Sequence, residues 1–149
     1  MSKKKPLVTY HVNTYNKKRM LKNLLLSFNE CNVYENYEWV IVDQGSTDGT
    51  VEFLKNVMEQ SNKVKVIFDD ELEYFEKLRS IQLYPRNNNK KANAVFGKAK
   101  NDARKIAKGK YFIDIADDHQ FVRKVDWVTE MIDVCESEGV NTVASVIYR

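Results

Sequence analysis

The stretch Trp39-Val40-Ile41-Val42-Asp43-Gln44-Gly45-Ser46-Thr47-Asp48-Gly49 decides the fold. Its first four residues are apolar without interruption, and three of them are β-branched. A strand of this kind lacks the polar alternation of a half-solvated sheet. It is buried on both faces, as central strands of parallel sheets are. The run ends on a carboxylate. The residues after Asp43 are small, polar or glycine, which makes a turn whose side chains bond their own backbone. Val51, Leu54 and Met58 then recur at helical spacing. Strand, turn and helix in direct succession form the repeating half of a βαβ unit.

Working outward, Leu7-Val8-Thr9-Tyr10-His11-Val12 is a first strand. Asn16 has the chemistry of a helix cap, and the helix it would start runs to about Asn29 with Leu21, Leu24, Leu25 and Phe28 on one stripe. Val64-Lys65-Val66-Ile67-Phe68 is a third strand. Residues 69–91 are the least patterned; Leu72, Phe75 and Leu78 or Arg79 suit one short helix, and 85–89 a turn or a mobile loop. A helix follows from Ala92 to Ala107, with Ala92, Val95, Phe96, Ala99, Ala103 and Ile106 on its apolar face and Gly109 as its stop. Tyr111-Phe112-Ile113-Asp114-Ile115 is a fourth strand, breaking at Asp117-Asp118-His119. The last helix carries Val128, Met131 and Cys135 and ends at Gly139, and a final strand spans 142–148.

This alternation, without internal repeats, predicts one α/β domain over residues 1–149: a mostly parallel sheet with helices on both faces. Ligands of such sheets sit beyond the carboxyl ends of the strands. The loops 13–16, 43–48 and 117–119 therefore converge.

The composition agrees. The chain is 43% apolar and 30% charged with five Gly and two Pro, a globular rather than a disordered balance. No apolar run approaches the roughly 20 residues of a transmembrane segment, and no signal-type stretch follows the basic start. Cys31 and Cys135 lie far apart without CxxC spacing, as expected of reduced thiols in a cytoplasmic protein. The net charge is +3, and the basic clusters at 3–5, 17–19 and 89–91 lack aromatic interleaving, so no nucleic-acid partner is expected. These clusters read as solvated surface, although a basic face can also hold an anionic ligand or an anionic membrane surface.

Asp117-Asp118 is the strongest chemical signal. Adjacent carboxylates at the end of a buried strand repel each other unless a cation lies between them. Hard oxygens in pairs suit Mg²⁺ or Mn²⁺, which bind one or two carboxylates plus substrate phosphates, and His119 is a further candidate ligand. The bland alternative is a helix N-cap with a second acid on the dipole. Asp114 reads as a supporting acid. Asp43 can accept hydrogen bonds from a ribose or a base, or simply start its turn. Tyr15 can stack on a base, or pack. Lys98, Asn101, Asp102 and Lys105 share the polar face of their helix; Lys98 or Lys100 reaching a diphosphate is the sharper reading, a solvated face the plainer one. His11 reads as a core histidine. No Walker loop, GxGxxG or nucleophile–histidine spacing is present.

At these residues the chain resembles family 2 glycosyltransferases. Thr14-Tyr15-Asn16 is similar to the family's Thr-Tyr-Asn, and Val42-Asp43-Gln44-Gly45-Ser46-Thr47-Asp48-Gly49-Thr50 to its Val-Asp-Asp-Gly-Ser-Thr-Asp-Gly-Thr. Gly97-Lys98-Ala99-Lys100-Asn101 resembles Gly-x-Ala-Arg-Asn, Ala107-Lys108-Gly109-Lys110-Tyr111 resembles Ala-x-Gly-Glu-Tyr, and Asp117-Asp118 the metal-binding end of the DxD region. The resemblance implies a Rossmann-like GT-A fold, a nucleotide-diphosphate sugar donor, Mn²⁺ or Mg²⁺, and inverting transfer to a carbohydrate or lipid-linked acceptor. It implies Asn13 and Tyr15 at the base, Asp43 at the nucleoside, and Asp117 and Asp118 at ribose, diphosphate and metal. Three departures stand out. Gln44 replaces an acid that receives a uracil N–H, Lys100 replaces Arg, and no acid matches the catalytic base of the family's acceptor half, which is expected to be absent. That leaves the catalytic residue unknown. A nucleotidyltransferase and a non-catalytic nucleotide-binding module are the competing readings.

Overall fold

A computed structural model describes residues 5–69 and 90–140; side chains of 90–96 are outside that description. The elements are β1 (Val8–Thr14), α1 (Lys18–Cys31), β2 (Tyr37–Asp43), α2 (Thr50–Gln60), β3 (Val64–Phe68), α3 (Lys90–Ile106), β4 (Tyr111–Asp114) and α4 (Trp127–Ser137). The short helix near 72–78, the turn at 85–89 and the strand at 142–148 expected above lie outside the described residues.

The four strands form one parallel sheet in the order β3-β2-β1-β4. Thr14 pairs with Asp43 and Asp43 with Phe68, so β1, β2 and β3 end level. His11 pairs with Asp114, and the ladder continues as the Ile115 amide donates to the His11 carbonyl at 2.8 Å. Counting three residues on from that pair sets Asp117 level with Thr14.

Both faces of the sheet are covered, for the reason the apolar strands require. Val8, Tyr10, Val12, Trp39 and Ile41 pack against Leu21, Leu24, Leu25 and Phe28 of α1, Leu54 of α2, and Val128 and Ile132 of α4. Tyr10, Phe28 and Trp39 meet ring to ring at 4.8–5.1 Å between centroids. On the other face, Val40 and Val42 meet Ala99 and Ala103 of α3, with Ile67, Ala107 and Phe112 packed around them. The small side chains let α3 lie close on β1 and β2.

Four local expectations change. Asn16 does not cap α1: its φ of 51° is left-handed, and its Oδ1 accepts from the Thr47 amide instead. The helix starts at Lys18, whose amide donates to Asp48 Oδ2 across the sheet edge. Met58 is 40% exposed, because the buried stripe of α2 turns through Thr50, Phe53, Leu54 and Val57. Ile106 is likewise exposed at the end of α3, and in α4 the buried positions are Val128, as expected, and Ile132, with Met131 and Cys135 half-buried.

Gly109 does more than stop a helix. A Cβ there would stand 2.5 Å from the Thr9 backbone nitrogen and hydroxyl. Only glycine lets this connection approach β1 and donate its amide to Thr9 Oγ1 at 3.0 Å. Beside it, buried Glu38 accepts from Thr9 Oγ1, Lys65 Nζ and the Lys108 amide. One carboxylate thus ties β1, β2, β3 and the α3–β4 connection together.

Candidate functional site

The strand order reverses beside β1: the chain leaves β1 toward β2 and returns as β4 on the opposite side. In an open parallel sheet this reversal opens a crevice beyond the carboxyl ends of the two strands. Thr14 and Asp117 meet there, with the Thr14 hydroxyl 3.2 Å from Asp117 Oδ2.

The walls of the crevice are two loops laced together. The Asn16 amide donates to Ser46 Oγ at 2.8 Å and the Thr47 amide to Asn16 Oδ1 at 2.6 Å. Asp48 takes the first amide of α1 with Oδ2, and the Thr50 amide and hydroxyl with Oδ1. Burial pulls the Asp48 carboxyl upward, but the bonds from Thr50 and Lys18 outweigh it and hold it below the usual carboxylate range. Gly45 and Gly49 have φ of 82° and 85°, the left-handed region that this turn needs twice.

Along the rim lie polar atoms without partners. Asp43 is buried; its Oδ2 accepts from the Ser46 amide, and its Oδ1 has no partner. Gln44 is 2% exposed; its amide extends the β1 ladder to the Thr14 carbonyl, and its Nε2 has no partner. Asn13 Oδ1 is buried and unpartnered too. Buried polar atoms are nearly always satisfied, and each exception asks for an explanation such as an incoming ligand. Two acceptors and a donor in adjoining positions suit a polar, hydrogen-bonding ligand. Tyr15 is half-buried beside them.

Asp117 is mostly buried, whereas Asp118 and His119 are exposed in the turn after β4. His119 Nδ1 sits 3.1 Å from the Ala116 amide nitrogen, which turns that side of the ring toward its own backbone. Among the described residues, no three His, Cys, Asp or Glu side chains form a metal cluster. Two neighbouring carboxylates fit a Mg²⁺ or Mn²⁺ ion that takes most of its remaining ligands from phosphate and water.

The lysines occupy different places. Lys98 Nζ is 3.5 Å from Asp69 Oδ2, at the end of β3, and 3.8 Å from Asp102. Three inter-strand spacings, roughly 14 Å, separate β3 from β4, so Lys98 as held lies across the sheet edge from Asp117. Asn101 is exposed on α3. Lys100 pairs with Asp114. The lysine that meets Asp117 is Lys17, 3.6 Å from its Oδ1. Reading the sequence put Lys17 among solvated lysines; only the β1–β4 register reveals the pair.

His11 is fully buried, as expected, with Nδ1 donating to the Val40 carbonyl. Burial lowers its pKa, against weaker upward pulls from the Val40 bond and Asp114. A neutral imidazole below the rim is a packing residue.

With this geometry in place, likeness to known proteins is informative. The sequence model described as Glycosyl transferase family 2 matches residues 10–79, which run from β1 past the end of β3. An uncharacterized glycosyltransferase of Haemophilus influenzae is 33% identical over 64 residues, covering 42% of this chain and 25% of the relative. Among solved structures, the mannosyltransferase PcManGT of Pyrobaculum calidifontis, in complex with GDP-Man and Mn²⁺, superposes with a TM-score of 0.63 and 20% identity over 89% of this chain and 33% of its own. Residues 1–349 of S. aureus TarS, in complex with UDP-GlcNAc, give 0.58 and 19% over 94% of this chain and 37% of that one. At these identities the likeness shows the fold, which is the Rossmann-like GT-A arrangement. The chain spans between a quarter and about two fifths of the length of these relatives.

Proposed function

We propose that the chain is the donor-binding part of an inverting glycosyltransferase that takes a nucleotide-diphosphate sugar with Mn²⁺ or Mg²⁺. The observation that carries this reading is the crevice itself: Asp117, bonded to Thr14 at the end of β1 and followed by Asp118 in the chain, near a rim where Asn13, Asp43 and Gln44 present buried, unpartnered polar atoms. Asn13, Asp43 and Gln44 would meet the nucleoside and Tyr15 would stack on its base. Asp117 and Asp118 would hold the metal, with His119 reaching it through a rotated ring. A bound divalent ion would stabilise the departing diphosphate as a Lewis acid. For Lys98 or Asn101 to touch the diphosphate, α3 would have to present them toward β4, and Lys98 would leave Asp69 and Asp102.

The acceptor would be a carbohydrate or lipid-linked hydroxyl, met in the cytoplasm or at a membrane surface by the basic clusters. No helix among the described residues is long and apolar enough to cross a membrane. Two acids at α4 are engaged elsewhere: Asp126 caps the helix through the Thr129 amide and binds Lys5, and Glu136 binds Lys110 and Tyr111.

The test is a calorimetric binding screen of UDP, GDP, ADP and their sugars with Mn²⁺. One nucleoside diphosphate is expected to bind well above the others. No binding of any would remove the reading.

A further inference from the structure

We propose that Lys17 is a phosphate-binding residue of the donor site, exchanging its contact with Asp117 for the donor's diphosphate. This rests on reading the β1–β4 crevice as the nucleotide-sugar site.

Three observations carry it. Lys17 ends the loop that leaves β1 at the strand reversal, and among the described residues it is the lysine paired with the Asp117-Asp118 acids. Lys98 and Lys100 are instead engaged by Asp69, Asp102 and Asp114. Second, the contact is replaceable. At 3.6 Å it is an ion pair too long for a hydrogen bond, and Lys17 is 43% exposed, so solvent screens it. Asp117 keeps its bond from Thr14 when Lys17 departs. A diphosphate offers the ammonium shorter, charge-assisted bonds. Third, the base of the side chain is fixed while its head can move. The Lys17 carbonyl accepts from the Leu21 amide in the first turn of α1, and the next residue is anchored by Asp48. Lysine suits this task, because its flexible stem carries a point charge with rotatable donors.

The exchange also places Lys17 and a divalent cation in competition for Asp117 Oδ1. Loss of the ammonium should therefore leave the affinity for the cation alone unchanged or raised, while weakening diphosphate binding.

The experiment measures UDP and GDP, and uridine and guanosine, against wild type, Lys17→Met and Lys17→Arg in Mn²⁺, with Mn²⁺ alone followed by electron paramagnetic resonance. In Lys17→Met, affinity for the diphosphate that wild type binds should fall by about 10- to 100-fold, while its nucleoside binds as before. Lys17→Arg should retain most of the diphosphate affinity, and Mn²⁺ alone should bind Lys17→Met at least as well as wild type. Undiminished diphosphate affinity in Lys17→Met would overturn the assignment, and so would a parallel loss on the nucleoside or on Mn²⁺ alone. Failure of wild type to bind either diphosphate would defeat the crevice reading itself, a result distinct from any variant's behaviour.

Discussion

Gln44 stands where the pattern of family 2 glycosyltransferases has an acid, and the exchange brings a buried donor. The side chain is buried with Nε2 unpaired, so the folded chain carries the cost of an unsatisfied donor that a ligand acceptor would relieve. Gln44→Met removes the donor at similar volume. It should leave stability equal or raise it by about 1–3 kcal/mol, and weaken nucleotide binding by a similar amount. Thermal unfolding and calorimetry on the same samples check both. A marked loss of stability with unchanged binding would show that Nε2 serves the fold. Glu38 is the opposite case, a buried acid with every partner supplied. Burial raises its carboxyl, but the bonds from Lys65, the Lys108 amide and Thr9 outweigh that and hold it below its ordinary value of 4.5. Its contribution is therefore fully present above pH 4.5 and lost as pH falls through the lower folded value. Glu38→Gln should be less stable at pH 7 and should lose less stability between pH 5 and pH 3 than wild type, as read by urea midpoints.

At the scale of elements, the lacing of two loops by Asn16 and Asp48 positions the crevice. Asp48 caps both α1 and α2, so Asp48→Ala should cost about 1–2 kcal/mol and loosen both loops together. Hydrogen exchange at the Lys18 and Thr50 amides should rise in parallel; a rise at Thr50 alone would show that α1 does not depend on Asp48. Gly109→Ala should cost about 1–3 kcal/mol or more, since backbone must shift to clear Thr9. These elements also show what a sequence makes legible. β2 could be read because four apolar residues in a row have one structural meaning. The α2 stripe was misjudged at Met58 because Val51, Leu54, Met58 and Phe53, Leu54, Val57 both satisfy helical spacing; the strands beneath choose between them. Asn16 was misjudged because capping preference is local, and α1 takes its cap from a loop thirty residues away. The carboxylates of the crevice were legible as strand-end acids, but the Lys17–Asp117 contact depends on the β1–β4 register, which no local pattern encodes.

At the scale of the molecule, the proposed reading makes the crevice between β1 and β4 the donor site. On that reading, donor binding uses the three loops at the strand ends. Transfer requires a base within hydrogen-bond reach of the acceptor hydroxyl, typically worth about 10²- to 10⁴-fold, and a held acceptor, worth up to about 7–11 kcal/mol. A release assay for nucleoside diphosphate, with and without a panel of sugar acceptors, reads whether these residues supply both. Acceptor-stimulated turnover near ~1 s⁻¹ or faster would place a base within these residues. The central claim is narrower and more directly accessible: the Asp117-Asp118 pair binds the diphosphate through a divalent cation. Calorimetric titration of the preferred nucleoside diphosphate into wild type and Asp118→Asn, each in Mn²⁺ and in EDTA, measures it. The account predicts tight binding only for wild type in Mn²⁺, with the variant in Mn²⁺ falling toward the EDTA value. Equal wild-type affinity in Mn²⁺ and in EDTA would contradict it.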